Sequence, residues 1–302
     1  MSFNPAFRIV LIILVAVLGT GASAEPSCND EDLRALSVLR KVLQSDHSTR
    51  FAARALVQTA VGSQQIVVTR GRPDTGTTYS VEIPDHSSDC DNLSHSLLAS
   101  PSHACGVAQW YKFRMEQQAL GADTVTVITA LPKDVYRHGY QLVIDEKNDI
   151  VLRSTTFNGT NALENVELRA LSLAAEDVPS QVSTPERMLR NTGNLAEDSP
   201  RGQADWRLGW APAGFQQASV DRSEIAQAQT YTDGLSTFSI FVEHPKGEIR
   251  IGEGMVNRGA TLAYTRGLRV NQKSILVSVV GEIPINTARM LVEGVEWDNN
   301  VQ

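Results

Sequence analysis

The chain is 302 residues long and 42% hydrophobic, enough apolar mass for two modest cores or one large one. Its formal charge is -7 and its basic residues are dispersed, so it lacks the concentrated cationic face that displaces counterions from phosphates; nucleic acid is excluded as a partner. Residues 1–24 read as a secretory signal peptide: Arg8, an apolar run from Ile9 to Leu18, then Ala22-Ser23-Ala24 as the cleavage site. That run is shorter than the ~20 apolar residues a membrane span needs, so the mature chain is expected to be exported and soluble. Export places Cys28, Cys90 and Cys105 in an oxidising compartment. Three cysteines permit three single bridges, and the one expected is Cys90–Cys105, which closes a short loop worth ~3 kcal/mol and leaves Cys28 unpaired.

After the signal, NDEDLRALSVLRKVLQ repeats Leu36, Leu39 and Leu43 at helical spacing, with acids in its first turn and Arg40-Lys41 near its end. Strands are expected at AARALVQT and QIVVTR around a Gly62-Ser63 turn, then at TTYSVEI. Residues 84–105 are polar and irregular, and strands return at DTVTVITAL, YQLVID and DIVLRSTTF, the last two joined through Glu146-Lys147-Asn148. Residues 172–203 carry three prolines and no apolar period, the composition of a linker. Beyond them, WRLGWAPAGF opens a second unit with strands at LSTFSIFV, ATLAYTR and SILVSVV. A helix follows, with Pro284 in its first turn and a buried stripe of Ala288, Leu291, Val292 and Val295.

Candidate chemistry is sparse. The stretch DHSSDCDNLSHSLLASPSHAC gathers His86, Asp89, Cys90, Asp91, His95, His103 and Cys105, but without paired CxxC or HxxxH spacing it reads as a surface loop closed by a bridge, with no metal. His103 and Cys105 lack a third group to orient a base, which ranks an exported hydrolase last among the readings. DEKND at 145–149 lacks the central glycine and closing glutamate of a calcium loop, and RGRPDTG is a turn, not a phosphate loop. No catalytic residue and no cofactor is assigned. QTYTDGLSTFSIFVEHPKGEIRIGEGM, residues 229–255, is instead a well-formed strand–turn–strand whose apolar groups point both ways: Phe238, Ile240 and Val242 to one face, Leu235 and Phe241 to the other. Such a strand is covered twice, or is covered once and offers its second face to a partner.

Two stretches stand out together. The first is PKDVYRHGYQLVIDEKNDIVLRSTTFN, with Asp134, Tyr136, Arg137, Gly139, Tyr140, Leu142, Asp145, Leu152 and Arg153. The second runs through Trp206, Trp210, Pro212, Gly214, Phe215, Tyr231, Asp233, Gly234, Phe238, Gly281, Glu282, Pro284, Thr287 and Ala288. In these residues the chain resembles the MucB/RseB family of envelope-stress regulators. The strand that family members carry as Y-x-G-T-F-V-Y reads FAARALVQTAVGSQQIVV here, a departure from the pattern. The resemblance implies an α+β chain with an N-terminal half-open antiparallel β-barrel with helices, similar to the carrier LolA, over residues 25–171. A linker (172–203) and a smaller antiparallel sheet with a packed helix (204–302) follow. It implies a periplasmic protein that binds the periplasmic segment of a membrane anti-sigma factor of RseA/MucA type and shields it from proteolysis, with lipopolysaccharide or lipoprotein acyl chains relieving the shield. The alternative is a periplasmic lipid or lipoprotein carrier of LolA type. Candidate partner contacts are Trp210, Phe215, Tyr231, Phe241, Arg258 and Tyr264; candidate ligand contacts are Leu56, Ile66, Val68, Val127, Leu142 and Ile144. The oligomeric state is left between monomer and homodimer.

Overall fold

The computed structural model describes residues 28–44, 51–70, 101–121, 123–173, 206–222, 226–245, 247, 249–270 and 273–297. The expected signal segment, the expected TTYSVEI strand, most of the Cys/His loop and residues 174–203 of the expected linker lie outside the described residues, whereas Ser172 closes the last strand of the larger sheet.

Helix α1 (Asp30–Gln44) starts at a reciprocal cap. Asn29 Oδ1 accepts from the Asp32 amide at 2.7 Å, and Asp32 Oδ2 accepts from the Asn29 amide at 3.4 Å, satisfying two donors that the first turn leaves orphaned. Of the expected apolar stripe, Leu36 and Leu39 are buried, joined by Ala35 and Val42, and the Leu43 side chain is outside the described residues. They pack on a seven-stranded antiparallel sheet of order β2-β1-β7-β6-β5-β4-β3. Its strands are β1 (Phe51–Thr59), β2 (Gly62–Arg70), β3 (Tyr111–Leu120), β4 (Asp123–Pro132), β5 (Gly139–Asp145), β6 (Ile150–Asn158) and β7 (Asn161–Ser172). Helix α2 (Pro101–Ala108), where the sequence reads as irregular, covers the same face beside α1, over Tyr111, Phe113, Ile128, Tyr140 and Ile144. Amides of Phe113 and Met115 donate to Asp32 and Glu31 at 3.4 and 3.3 Å, which fixes α1 along β3.

The disulfide differs from the expected one: Cys28 is bonded to Cys105, 77 residues away, and Cys90 lies outside the described residues. Loop length alone favours a short bridge, but α1 and α2 pack side by side and hold the two Cα atoms 5.2 Å apart, inside bonding range. Closing so long a loop is worth about 4.5 kcal/mol in the chain-entropy model. Cys28→Ser is therefore expected to lower unfolding free energy by several kcal/mol, whereas Cys90→Ser should leave it unchanged. Denaturant titration of the two variants checks this.

The smaller sheet has six antiparallel strands of order β12-β13-β14-β11-β10-β9. These are β9 (Gln216–Arg222), β10 (Ala226–Thr232), β11 (Thr237–Glu243), β12 (Gly252–Arg258), β13 (Thr261–Val270) and β14 (Lys273–Gly281). Along β11 burial alternates residue by residue, with Phe238, Ile240 and Val242 inward, as the sequence implies. They meet Leu262, Val277 and Val279 under helix α3 (Ile285–Glu293), which buries Ala288, Leu291 and Val292. Pro284 caps α3 at its start, with φ -61° and ψ 148°. The helix stops at Gly294, whose N–H returns to the carbonyls of Met290 and Leu291, so Val295 is not on the helical stripe. Val295 opens β15 (Val295–Trp297) and is buried against β8 (Trp206–Leu208), Trp206 sitting opposite Trp297.

Candidate functional site

The two sheets meet along a seam built from the β4–β5 connection, residues 133–138, and the tight turn between β10 and β11. Asp134 shapes the first element. Its Oδ1 accepts from the Tyr136 amide at 3.0 Å and from Arg137 Nε at 3.1 Å, and its Oδ2 lies 3.0 Å from Arg137 Nη2. Thus oriented, Arg137 reaches Asp233 Oδ2 with Nη1 at 2.7 Å and the Ala213 carbonyl with Nη2 at 2.7 Å. The side chains of Arg137 and Asp233 are both 0% exposed. Rings surround the guanidinium: Phe215 at 5.2 Å, Trp110 at 5.3 Å and Tyr111 at 5.6 Å from the guanidinium carbon. A planar, weakly hydrated cation suits this mixture of fork and stack, which lysine could not reproduce.

Asp233 is satisfied at both oxygens. Tyr111 donates its hydroxyl to Oδ2 at 3.0 Å, while Oδ1 accepts from the amides of Leu235 and Ser236 at 3.0 and 2.8 Å. Burial pushes the Asp233 carboxyl up, opposed by Arg137 and by these donors. The same carboxylate therefore closes its own turn and receives groups from the larger sheet. Around it, Leu235 packs into the core beneath α1, and Thr287 Oγ1 of α3 donates to the Tyr136 carbonyl at 3.0 Å. The Tyr136 ring stands edge-on to Trp210 at 5.4 Å. Gly214 has φ +91°, and a Cβ there would overlap the Trp110 indole, so only glycine allows this approach.

Further groups at the seam are held in uncharged or strained-charge surroundings. Burial raises the Tyr140 hydroxyl well above its ordinary value, with the Glu282 charge adding to it, and burial likewise raises Glu282. His138 is pushed by burial from 6.5 down to about 4, and its Nδ1 has no hydrogen-bond partner among the described residues. An unfolded chain binds the His138 proton near 6.5 while the folded one refuses it down to about 4. This residue's contribution to stability is therefore complete above that upper value and is lost as pH falls through the window. Asp233 and Glu282, both raised, act in the opposite direction, since the folded state holds their protons more tightly. Comparing wild type with His138→Gln isolates the histidine: moving from pH 7 to pH 5 should cost the wild type about 2 kcal/mol more than the variant in urea unfolding.

The expected partner contacts do not form one patch. Trp210 and Phe215 are half-buried at the seam, Phe215 against Phe238 at 5.0 Å. Tyr231 stacks on Phe238 at 5.3 Å and donates its hydroxyl to Gln229. Tyr264 is 2% exposed, inside the core under α3, and Phe241 lies half-buried on the opposite face of the sheet. Arg258 is exposed on β12 and reaches Gln64 of the larger sheet at 3.3 Å.

The expected ligand contacts likewise divide. Leu142 and Ile144 face the helices, while Val127 packs with Val125 and Val143 on the other face. Leu56 and Ile66 are half-buried on opposite faces, because Leu56 pairs with Gln65 and Ile66 with Ala55; the Val68 side chain is outside the described residues. Arg137, Asp233, Tyr111, His138 and Glu282 carry the seam instead. Four of these, Arg137, His138, Asp233 and Glu282, stand in the stretches that carry the family resemblance, which is the one signal that marks them in the sequence. The seam has hydrogen bonds, a buried ion pair and rings in contact, which makes it a device for fixing two sheets against each other.

Comparison with known proteins agrees along both sheets. Residues 39–188 match the MucB/RseB N-terminal domain and residues 200–296 the MucB/RseB C-terminal domain. The sigma factor AlgU regulatory protein MucB of Pseudomonas aeruginosa is 28% identical over 190 residues, 60% of this chain and 59% of that protein. The sigma-E factor regulatory protein RseB of Haemophilus influenzae is 27% identical over 187 residues, 58% of this chain and 55% of that protein. The chain thus matches a little over half the length of these two relatives. Among solved structures, the Pseudomonas aeruginosa MucA/MucB complex aligns with a TM-score of 0.60 at 21% identity, covering 88% of this chain and 99% of that one. A crystal structure of MucB in complex with MucA(peri) aligns with a TM-score of 0.59 at 22% identity, covering 87% of this chain and 99% of that one. The fold is shared with those proteins, and with both of its sheets matched, the chain belongs to the MucB/RseB family.

Proposed function

We propose that the mature chain is a periplasmic regulator that binds the periplasmic segment of a membrane anti-sigma factor of MucA/RseA type and keeps a regulatory protease from it. On this reading it makes and breaks no bonds, and residues 1–24 serve as a cleaved signal. Residues 25–171 and 204–302 act as two domains joined by the 172–203 linker. Family membership along both sheets carries the reading; the relatives' names describe sigma-factor regulation, and a MucB has been solved with MucA(peri). The seam supports it physically, because a partner that touches both sheets senses their relative placement, which Arg137 and Asp233 hold.

Acyl ligands such as lipopolysaccharide or lipoprotein would act on the larger sheet and weaken the grip through the seam. By linkage the partner must weaken the ligand by the same factor. Titration calorimetry of the mature chain with the purified periplasmic segment of the cognate anti-sigma factor tests the first part. Saturable heat is expected, and its absence would end the proposal. Repeating the titration with lipopolysaccharide present tests the second: an unchanged affinity would remove the ligand switch and leave the partner intact.

A further inference from the structure

The bridge between Cys28 and Cys105 ends close to the seam. Cys105 belongs to α2, and the far end of that helix is built into the junction of the two sheets. The carbonyl of Ala108, the last residue of α2, accepts from Lys133 Nζ at 2.6 Å, and Lys133 opens the β4–β5 connection that carries Arg137. Just beyond the helix, the Trp110 amide donates to the Val107 carbonyl at 3.0 Å, and the Trp110 carbonyl accepts from the Lys133 amide at 2.9 Å. The Trp110 ring flanks the Arg137 guanidinium, and Tyr111, six positions beyond the bridged cysteine, donates to Asp233.

Helix α2 depends on outside support. It is 8 residues long and includes Gly106, whereas an isolated helix is marginal below ~12 residues. Val107 and Ala108 pack into the core, and the bridge ties the middle of the helix to the chain ahead of α1. Without that tie, α2 is held by packing on α1 and the start of β3. The bond is also reachable from one side, because Cys28 is half-buried at the edge of the core while Cys105 is 6% exposed. A thiolate of an incoming dithiol attacks Cys28 Sγ, the Sγ–Sγ bond breaks, and Cys105 leaves as a thiolate. The second thiol of the reductant then attacks the mixed disulfide and releases Cys28. The reductant ends as a disulfide, having given up two electrons, and its two protons pass by way of water to the two cysteines.

We propose that the Cys28–Cys105 bridge is a redox-sensitive latch on the seam, an inference that rests on the partner reading above. Oxidised, it holds α2 and, through Lys133, Trp110 and Tyr111, the placement of Arg137 against Asp233. Reduced, it lets α2 fray, which loosens the seam and weakens the grip on the anti-sigma segment. A chain exported into a compartment short of disulfide-donating proteins stays reduced and leaves its partner open to cleavage.

The test uses the mature full chain with Cys90→Ser, so that one bridge alone can form. Oxidised and dithiothreitol-reduced chain are titrated by calorimetry with the periplasmic segment of the anti-sigma factor. Reduction should weaken binding roughly ten-fold, with the far-UV circular dichroism still that of a folded chain. Cys28→Ser should bind like the reduced chain whether or not dithiothreitol is present. Lys133→Met cuts the tie between α2 and the β4–β5 connection; oxidised, it should bind more weakly than its parent, and reduction should then cost it less. Amide hydrogen exchange reads the seam with no partner present. On reduction the Trp110 and Lys133 amides should gain roughly ten-fold in exchange rate over those of β11 and β14. The latch is overturned if the folded, reduced chain binds as tightly as the oxidised one, or if reduction unfolds the chain outright. It is overturned equally if the losses from reduction and from Lys133→Met simply multiply, or if exchange rises by the same factor everywhere or not at all. Should the oxidised chain fail to bind the segment, the partner reading falls, and hydrogen exchange alone decides whether the bridge holds the seam.

Discussion

Replacing Asp233 with alanine is expected to destabilise the chain by about 3–5 kcal/mol, the range for orphaning one member of a buried ion pair. Arg137 would keep its charge with a fully buried side chain, retaining only Asp134 and the Ala213 carbonyl. Tyr111 would lose its acceptor, and the amides of Leu235 and Ser236 would lose the oxygen that closes their turn. The loss therefore falls on both sheets at once. Replacing the pair together, Arg137→Met with Asp233→Leu, should recover much of the stability, because desolvating two charges is itself costly. Urea unfolding followed by tryptophan fluorescence reads both results. A cost below about 1 kcal/mol for Asp233→Ala would mean that the pair is matched by solvent and does not fasten the seam.

Gly281→Ala is expected to be nearly as damaging, for a steric reason. A Cβ at Gly281 would lie 2.5 Å from the Thr237 carbonyl oxygen and 2.6 Å from the Phe238 Cα. Both are backbone atoms of the adjacent strand, so no side chain can swing away. Relief requires β11 and β14 to part beside Phe238, at the centre of the smaller core, and disturbs the Glu282 amide's bond to the Thr237 carbonyl at 3.1 Å. Overpacking of this kind costs about 3 kcal/mol. Gly106→Ala is the matched control: it sits in α2 with nothing within 4 Å of its added Cβ, and should gain about 0.5–1 kcal/mol from the unfolded state and helix propensity. Thermal unfolding of the two variants should move in opposite directions.

How far the sequence reveals these features depends on the range over which each is encoded. The alternation in TFSIFVE and the stripe of Ala288, Leu291 and Val292 are local and were legible in the sequence. β3 was not, because beyond Met115 its residues are exposed and its polar outer half, EQQAL, breaks the alternation. β12 hides for the same reason, with two glycines and every side chain in solvent. Helix α2 lies in a stretch whose composition reads as loop, and only packing against α1 reveals why Cys105 bonds Cys28. Tyr264 and Phe241 look alike as exposed aromatics in sequence, yet one lies in the core and the other on the opposite sheet face. Arg137 and Asp233 are the hardest case. Charged residues belong to solvent by default, and 96 positions separate the two; their pairing is a property of the assembled sheets.

The central claim is that this molecule protects a polypeptide by holding it. Its most direct test is the cleavage rate of the anti-sigma factor's periplasmic segment by its first regulatory protease, measured as the mature chain is titrated in. Cleavage should fall in proportion to the bound fraction and stop at stoichiometric saturation; undiminished cleavage with the chain in large excess would contradict the account.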